Sequence, residues 1–366
     1  MAQVSDLPEE LIEIILSHPT DVVNLYNYRD VCRSWRSIVD KLLTSSPPHL
    51  LLFEMENNIR LLNIFTGDSS VCKVPDFKTR DGQPLRFPRS VFSRHGWLAI
   101  NFTTCNNQCY THHFFLYNPF SRSRIRLPTF TFDHHFQNNH DFPNIWQPKI
   151  KFVLSSKPTN RPQISVALAT GKKIIFWKSG DEEWTPVDNP FEENMPVFDM
   201  ISYKGGLCAI DYAGNVAQFE FNPLPRATII PSTVAIEMQF FAICVVESLS
   251  GDLLMVCRSQ QGFFSVFKLD WETMVWGEIT SLGYDDEAIF MAGRESVCVR
   301  AGESTVYKNN CIYFRSAGEF PSTLPIRSRE DFGVYNMANK IIHRFSHPLL
   351  SRTSTLGCYQ WLTTHL

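Results

Sequence analysis

Five histidines are the residues best suited to chemistry by type: His134, His135 and His140 stand with Asp133 and Asp141, and His112-His113 lies nearby. Imidazoles with a carboxylate are good zinc ligands. Their spacing fits no structural zinc site, however, and residues 130–140 read as a polar loop, so no metal and no cofactor is expected. The paired acids Glu182-Glu183, Glu192-Glu193 and Asp285-Asp286 flank turns and read as solvated carboxylates rather than acid and base catalysts. No GxxxxGK[ST], GxGxxG, GxSxG or HExxH motif occurs, and no Ser sits in a recognisable elbow. A catalytic residue is therefore not expected. Arg122, Arg124 and Arg126 alternate, so a strand there would project all three from one face. Such forks would suit an acidic or phosphorylated segment of a client protein, and they would equally suit a charged edge strand.

The whole chain sets the frame for these residues. At 366 residues it exceeds one compact core, which points to two units or one large closed ring. A formal net charge of -3 argues against the broad basic surface of a nucleic-acid binder. With 44% hydrophobic residues and no apolar run of spanning length, no membrane segment is expected. The acidic start, Met1 to Glu10, is unlike a secretory or transit peptide, so a nuclear or cytoplasmic location is expected. Ten cysteines lie scattered without a CxxC, mostly in apolar runs, as reduced buried thiols do. The Asn101-Phe102-Thr103 sequon is then expected to stay unmodified.

Patterning divides the chain between Thr44 and His49. Asp6, Pro8 and Glu9 predict a capped helix over residues 8–17, with Leu11, Ile12, Ile15 and Leu16 on one face. Thr20 predicts a short second helix through Leu25. A third carries Tyr28, Val31, Cys32, Trp35, Ile38, Val39 and Leu42 as a stripe, with Arg29, Arg33 and Arg36 outside and Arg29–Arg33 a like-charge pair. Some 40 residues cannot bury all this apolar surface internally. It must meet a partner or the rest of the chain.

These residues resemble the F-box: Leu7-Pro8, the apolar run Leu11 to Leu16, and Val31-Cys32 with Trp35 fall in its register, with Tyr26 and Tyr28 where Leu, Phe and Arg are commoner. The resemblance implies docking on a Skp-type adaptor and, through it, on cullin and RING subunits. It implies adaptor-binding positions Leu7, Pro8, Leu11, Ile12, Ile15 and Leu16, with Val31, Cys32 and Trp35 divided between core and contact.

Beyond residue 50, six apolar strands each run through an Asn-, Gly-, Pro- or Asp-rich turn into a second strand, at 61–75, 115–128, 175–186, 219–231, 267–279 and 334–345. A turn-and-strand element precedes each, at Asn57-Asn58, Gly96-Trp97, Gly171-Lys172, Gly205-Gly206, Gly251-Asp252 and Asn309-Asn310. Repeated small sheets of this kind predict a β-propeller of about six blades, with five or seven as neighbouring counts and a β-sandwich pair as the alternative. Tyr117-Asn118-Pro119 through Leu127-Pro128 resembles F-box-associated propellers, and Trp361-Leu362-Thr363 the C-terminal motif of plant F-box proteins with a kelch-like domain.

The expected architecture is an all-α three-helix F-box over residues 1–46 and an all-β kelch-like propeller over 50–366. The expected function is that of a non-catalytic, substrate-recognition subunit of a Skp-cullin-F-box ubiquitin ligase, whose propeller binds a client protein. Arg122, Arg124 and Arg126 are the candidate client contacts. The alternatives are a propeller scaffold whose helices pack internally or bind the adaptor alone, and a propeller hydrolase or lectin. The last needs carboxylates converging at the ring centre, and the sequence places none there.

Overall fold

Pro8 opens the first helix by accepting the amides of Leu11 and Ile12 at 3.1 and 3.2 Å. The acidic residues Glu9 and Glu10 follow in its first turn, where they complement the helix dipole. The computed structural model describes residues 7–17, 22–54, 58–105, 109–133, 150–155, 165–170, 173–191, 197–211, 213–220, 226–231, 240–259, 262–283, 286–292, 295–302, 306–317, 330–344 and 359–362. Its helices are α1 (Glu9–Ser17), α2 (Val22–Asn27) and α3 (Arg33–Ser45), with a 3-10 turn at Tyr28–Asp30.

The third helix is thus shorter than its stripe predicts. Cys32 is extended (φ -162°, ψ -179°) and separates the turn from α3. The break has a consequence for charge. Eleven residues of continuous helix would rise about 16 Å, yet the Arg29 guanidinium sits 2.6 Å from the Asp40 carboxylate. Arg29 is therefore paired with Asp40 rather than set against Arg33 on an outer face.

Ser46 ends α3 by donating its amide to Leu43 O and its hydroxyl to Leu42 O. Pro47 and Pro48 cannot continue a helix, and the first strand starts at His49.

The strands follow in chain order. Blade 1 holds β1 (His49–Glu54), β2 (Asn58–Leu62) and β3 (Ser69–Lys73), and a small flap follows, β4 (Phe77–Lys78) and β5 (Pro84–Leu85). Blade 2 holds β6 (Ser90–Arg94), β7 (Trp97–Cys105), β8 (Cys109–Tyr117), β9 (Arg124–Arg126) and β10 (Phe130–Asp133). Blade 3 holds β11 (Ile150–Leu154), β12 (Ser165–Thr170), β13 (Lys173–Lys178) and β14 (Thr185–Val187). Blade 4 holds β15 (Val197–Tyr203), β16 (Gly206–Asp211), β17 (Val216–Glu220) and β18 (Arg226–Ile230). Blade 5 holds β19 (Phe240–Glu247), β20 (Leu253–Ser259), β21 (Phe264–Asp270) and β22 (Val275–Ile279). Blade 6 holds β23 (Glu287–Ala292), β24 (Glu295–Arg300), β25 (Cys311–Ala317), β26 (Glu330–Asn336) and β27 (Ile341–Arg344). β28 (Tyr359–Leu362) returns to pair with β1, Leu50 opposite Trp361, and closes the ring.

All six expected hairpins are present as the outer strands of their blades. Their turn residues have one physical role. The side-chain carbonyls of Asn63, Asn118 and Asn336 and the carboxylate of Asp270 each accept two backbone amides of the turn, at 2.8–3.3 Å. This is the Asx turn, which fixes a reversal locally.

Inner strands read as unbroken apolar runs because both faces are buried. Along β20, Leu253, Met255 and Cys257 join the core toward blade 4, while Leu254 and Val256 join the core toward blade 6. The two-residue period makes the same division in β1, β7, β12, β16 and β25. Six such cores fill the six gaps between six blades.

Blade 6 departs from the repeat. Cys311 does not begin an inner antiparallel hairpin as expected; β25 pairs parallel to β23, Ala288 opposite Cys311, and the sheet gains a fifth strand.

The helical bundle is seated on the ring. Ile12, Leu16, Trp35, Ile38 and Val39 share one buried cluster with Leu51 and Leu61 of blade 1, Phe77 and Leu85 of the flap, and Phe115 and Phe120 of blade 2. Tyr26 of α2 stacks on Phe120 at 4.9 Å.

Candidate functional site

Seating divides the bundle's apolar residues into two sets. Ile12 (0% exposed), Leu16 (2%) and Trp35 (5%) lie in the shared core, which corrects the expected place of Ile12 and Leu16 at the adaptor interface and puts Trp35 on the core side of its expected division. The first turn of α1 turns Leu11 (47%) outward, and Ile15 (44%) follows one turn on, with Val31 (47%) exposed between the 3-10 turn and α3. Pro8 is exposed, and Leu7 and Cys32 are half-buried. Ile14 (55%) was not among the expected contacts. Its signal was in the sequence, because it stands three residues after Leu11 and so shares that face. The exposed apolar residues of the bundle are therefore Leu11, Ile14 and Ile15 on α1 and Val31 before α3.

The three arginines do not lie along one strand. Arg122 sits in the turn with φ 56°, and only Arg124 and Arg126 belong to β9. Tyr117 and Phe115 stand opposite these two across the sheet. The Arg126 guanidinium lies 5.1 Å over the Phe115 ring and donates through Nη2 to the Lys78 carbonyl, tying the flap to blade 2.

Carboxylates do converge at the ring centre, contrary to the expectation. The strands around the channel are β28, β6, β11, β15, β19 and β24, each beside the next. Asp199 on β15 accepts the amides of Met200 and Val245, both at 2.8 Å, and lies 2.6 Å from the Lys151 ammonium of β11. Burial alone would lower the Lys151 pKa, but the Asp199 and Glu295 carboxylates together outweigh it and hold the ammonium above its usual range. Burial pushes Glu295 up to about 7 against the pull of Lys151 and Arg94. A cavity of about 460 Å³ opens beside it, lined in part by Ser93, Arg94, Glu247, Ser248 and Glu295.

Bonds between neighbouring blades run both beside the channel and at the outer strands. Ser93 Oγ donates to the Trp361 carbonyl, Trp184 Nε1 to the Pro128 carbonyl (2.8 Å), and Ser296 Oγ to the Val245 carbonyl (2.8 Å). Phe290 meets Trp361 edge-on at 5.1 Å between blades 6 and 1. Asp199, spanning blades 3, 4 and 5, is one member of this set. Its acceptor capacity is engaged in holding the ring together.

The metal-like histidine cluster is not assembled among the described residues. His134, His135, His140 and Asp141 lie outside them, and no group of His, Cys, Asp or Glu there could hold an ion. His112 is buried on β8 within 3.2 Å of Asn101 Oδ1, and His113 lies 2.9 Å from Thr104 Oγ1. Burial first, with Arg89 and His113 adding to it, lowers His112 to about 4. Asn101 itself is fully buried, which makes the sequon inaccessible. Glu182 and Glu183 are exposed acids, as expected, and Asp286 accepts from Asn309; Glu192, Glu193 and Asp285 lie outside the described residues. Burial pushes the Cys208 thiol up to about 12, in keeping with a reduced structural cysteine.

A three-helix bundle carried on a closed six-bladed ring defines a helical module joined to a propeller. Residues 4–44 match the F-box-like domain, a module that in general binds Skp-type adaptors, and residues 69–336 match the KIB1-4 beta-propeller. The chain belongs to the KIB1-4 beta-propeller family, with an N-terminal F-box-like domain. An F-box protein of Arabidopsis thaliana is 22% identical over 85% of this chain and 94% of its own length. A second is 24% identical over 85% and 88%, and a putative F-box protein of the same plant is 23% identical over 95% and 98%. Among solved structures, a Bacteroides caccae protein of unknown function overlays 85% of this chain and 97% of its own at TM-score 0.41 and 12% identity.

Proposed function

We propose that the protein is the substrate-recognition subunit of a Skp-cullin-F-box ubiquitin ligase: the bundle holds a Skp-type adaptor, cullin and RING subunits follow through it, and the propeller holds the client. The observation that carries this reading is the exposed set Leu11, Ile14, Ile15 and Val31 on a bundle whose other apolar residues are seated on the ring. Four large apolar side chains left in water on one small bundle mark an interaction face. The internal-packing alternative has support in the shared core, but that core leaves these four side chains exposed, so seating and docking are compatible.

The mechanism is proximity. Holding a client lysine near a charged ubiquitin-conjugating enzyme raises the effective concentration of the reacting groups, and the subunit needs no catalytic residue of its own. A seated bundle serves that role better than a tethered one, because a fixed geometry spends less entropy on each encounter. Arg122, Arg124 and Arg126 are proposed as client contacts on blade 2. This activity belongs to the nucleus or cytoplasm, where such ligases meet their clients.

Capture of a purified Skp-type adaptor by the full chain tests the reading. Wild type is expected to bind and Ile15→Asp to lose binding at least about tenfold, since a charge would be buried in an apolar contact, while the circular-dichroism spectrum is retained. Adaptor binding unchanged in Ile15→Asp would overturn the assignment of this face.

A further inference from the structure

The charge of this chain is unevenly distributed. Between Lys73 and Arg126 there are nine Lys and Arg against two acids, Asp76 and Asp81, in a chain whose formal net charge is -3. From residue 82 to residue 132 there is no acid at all. The fold gathers part of this excess. Phe77 of the flap packs against Phe115 at 4.6 Å and Phe102 at 5.2 Å, which lays the flap on the face of blade 2. Arg126 stands opposite Phe115 on that same face, with Nη2 on the flap carbonyls of Lys78 and Thr79. Arg124 shares its side of β9, two residues away. Lys78, Arg80, Arg122, Arg124 and Arg126 are all exposed.

We propose that this rim of blade 2 and its flap, Lys78, Arg80, Arg122, Arg124 and Arg126, is a docking surface for an acidic peptide segment of the client. The proposal rests on the client-capture reading and names the chemistry of the segment captured. Two features favour a built surface over a merely solvated edge. Two separate elements contribute cations to it, and like charges brought together oppose folding unless an anion later meets them. Arg126 is also fixed before any ligand arrives, by the Phe115 ring and the flap carbonyls, so less rotamer entropy is lost on binding. Asp81 is the acid of the flap; its carboxyl is held below the usual range by a hydrogen bond from Thr79. Ionised, it offsets one of the five cations and leaves the surface net positive. Guanidinium forks then favour carboxylates in bidentate pairs.

The test uses the full chain, with and without purified adaptor, and a short fluorescein-labelled peptide of alternating Glu and Gly, read by anisotropy. The Glu peptide is expected to bind, its Gln counterpart to bind at least about tenfold more weakly, and affinity to fall as salt screens the charges. Arg80→Glu combined with Arg124→Glu, which leaves the Arg126 anchor in place, is expected to weaken binding by at least about tenfold. An unchanged affinity in that variant overturns the proposal, as does equal binding of a single-stranded RNA of the same charge, which would mark a general polyanion surface. Adaptor capture without Glu-peptide binding defeats this proposal alone and leaves the ligase reading standing. Peptide binding by a chain that captures no adaptor does the reverse.

Discussion

Replacing Asp199 by Ala should destabilise the ring more than most single changes in the chain. The carboxylate lies 2.6 Å from the ammonium of Lys151, with both side chains almost wholly buried. Removing one partner of such a pair leaves an uncompensated buried charge, at a cost of about 3 to 5 kcal/mol. The amides of Met200 and Val245 lose their acceptor as well, and an orphaned buried donor costs about 1 to 3 kcal/mol. The expected loss is therefore at least about 4 kcal/mol, a large part of the 5 to 15 kcal/mol available to a typical fold. Lys151→Met isolates the charge component, because it removes the ammonium and leaves Asp199 with its two amide donors. Urea unfolding followed by tryptophan fluorescence would measure both variants and the double mutant Lys151→Met with Asp199→Ala. The double mutant is expected to be less destabilised than the sum of its two singles by at least about 1 kcal/mol, the signature of coupled neighbours. Additive effects, or a loss below about 1 kcal/mol for Asp199→Ala, would refute the claim that this pair helps hold blades 3, 4 and 5 together.

Two further outcomes follow from burial. His112 keeps a folded pKa of about 4 against an ordinary 6.5, so the folded state declines a proton that the unfolded chain accepts. Its contribution is complete above the ordinary value and is lost as pH falls toward 4. About 2 kcal/mol should disappear between about pH 7 and pH 5, and His112→Gln should flatten that limb of a urea-midpoint profile; an unflattened limb would show that other groups cause it. Trp35→Ala should cost about 3 to 5 kcal/mol, because the ring is buried in the bundle's shared core beside Tyr28, and adaptor capture should fall with it. Undiminished capture by that variant would count against the bundle as the docking module.

The parts of this fold that the sequence made legible are those that act over a few residues. Four outer hairpins carry their own signal, an Asn or Asp whose side chain turns the backbone, and the signal is the same whether or not the rest of the ring exists. The end of α3 at Pro47 is equally local. The parts that stayed hidden depend on partners far along the chain. No residue near Cys311 announces that β25 will lie parallel to β23, because β25 is buried on both faces as an antiparallel inner strand is. Asp199 and Lys151 belong to different blades, and their meeting is set by the ring's curvature. The stripe Tyr28 to Leu42 fits one helix by period alone, and the break at Cys32 becomes visible only with the Arg29–Asp40 pair. The candidate site behaved likewise. Spacing identified the apolar face of α1, but only the packing of α1 on α3 distinguishes Ile12 and Leu16, which lie in the shared core, from Ile14 and Ile15, which stay exposed.

The pairing of β28 with β1 also sets a schedule for biosynthesis. Leu362 of β28 belongs to the cluster that seats the helices, so the seat is complete only after all six blades have been made. At about 5 to 20 residues per second, translation leaves the bundle without its seat for tens of seconds. During that interval both of its apolar faces are bare. A ribosome-bound chain is then a chaperone client before it can have a client of its own, and a chain that fails to close its ring keeps the inner face of its bundle on display to the quality-control machinery.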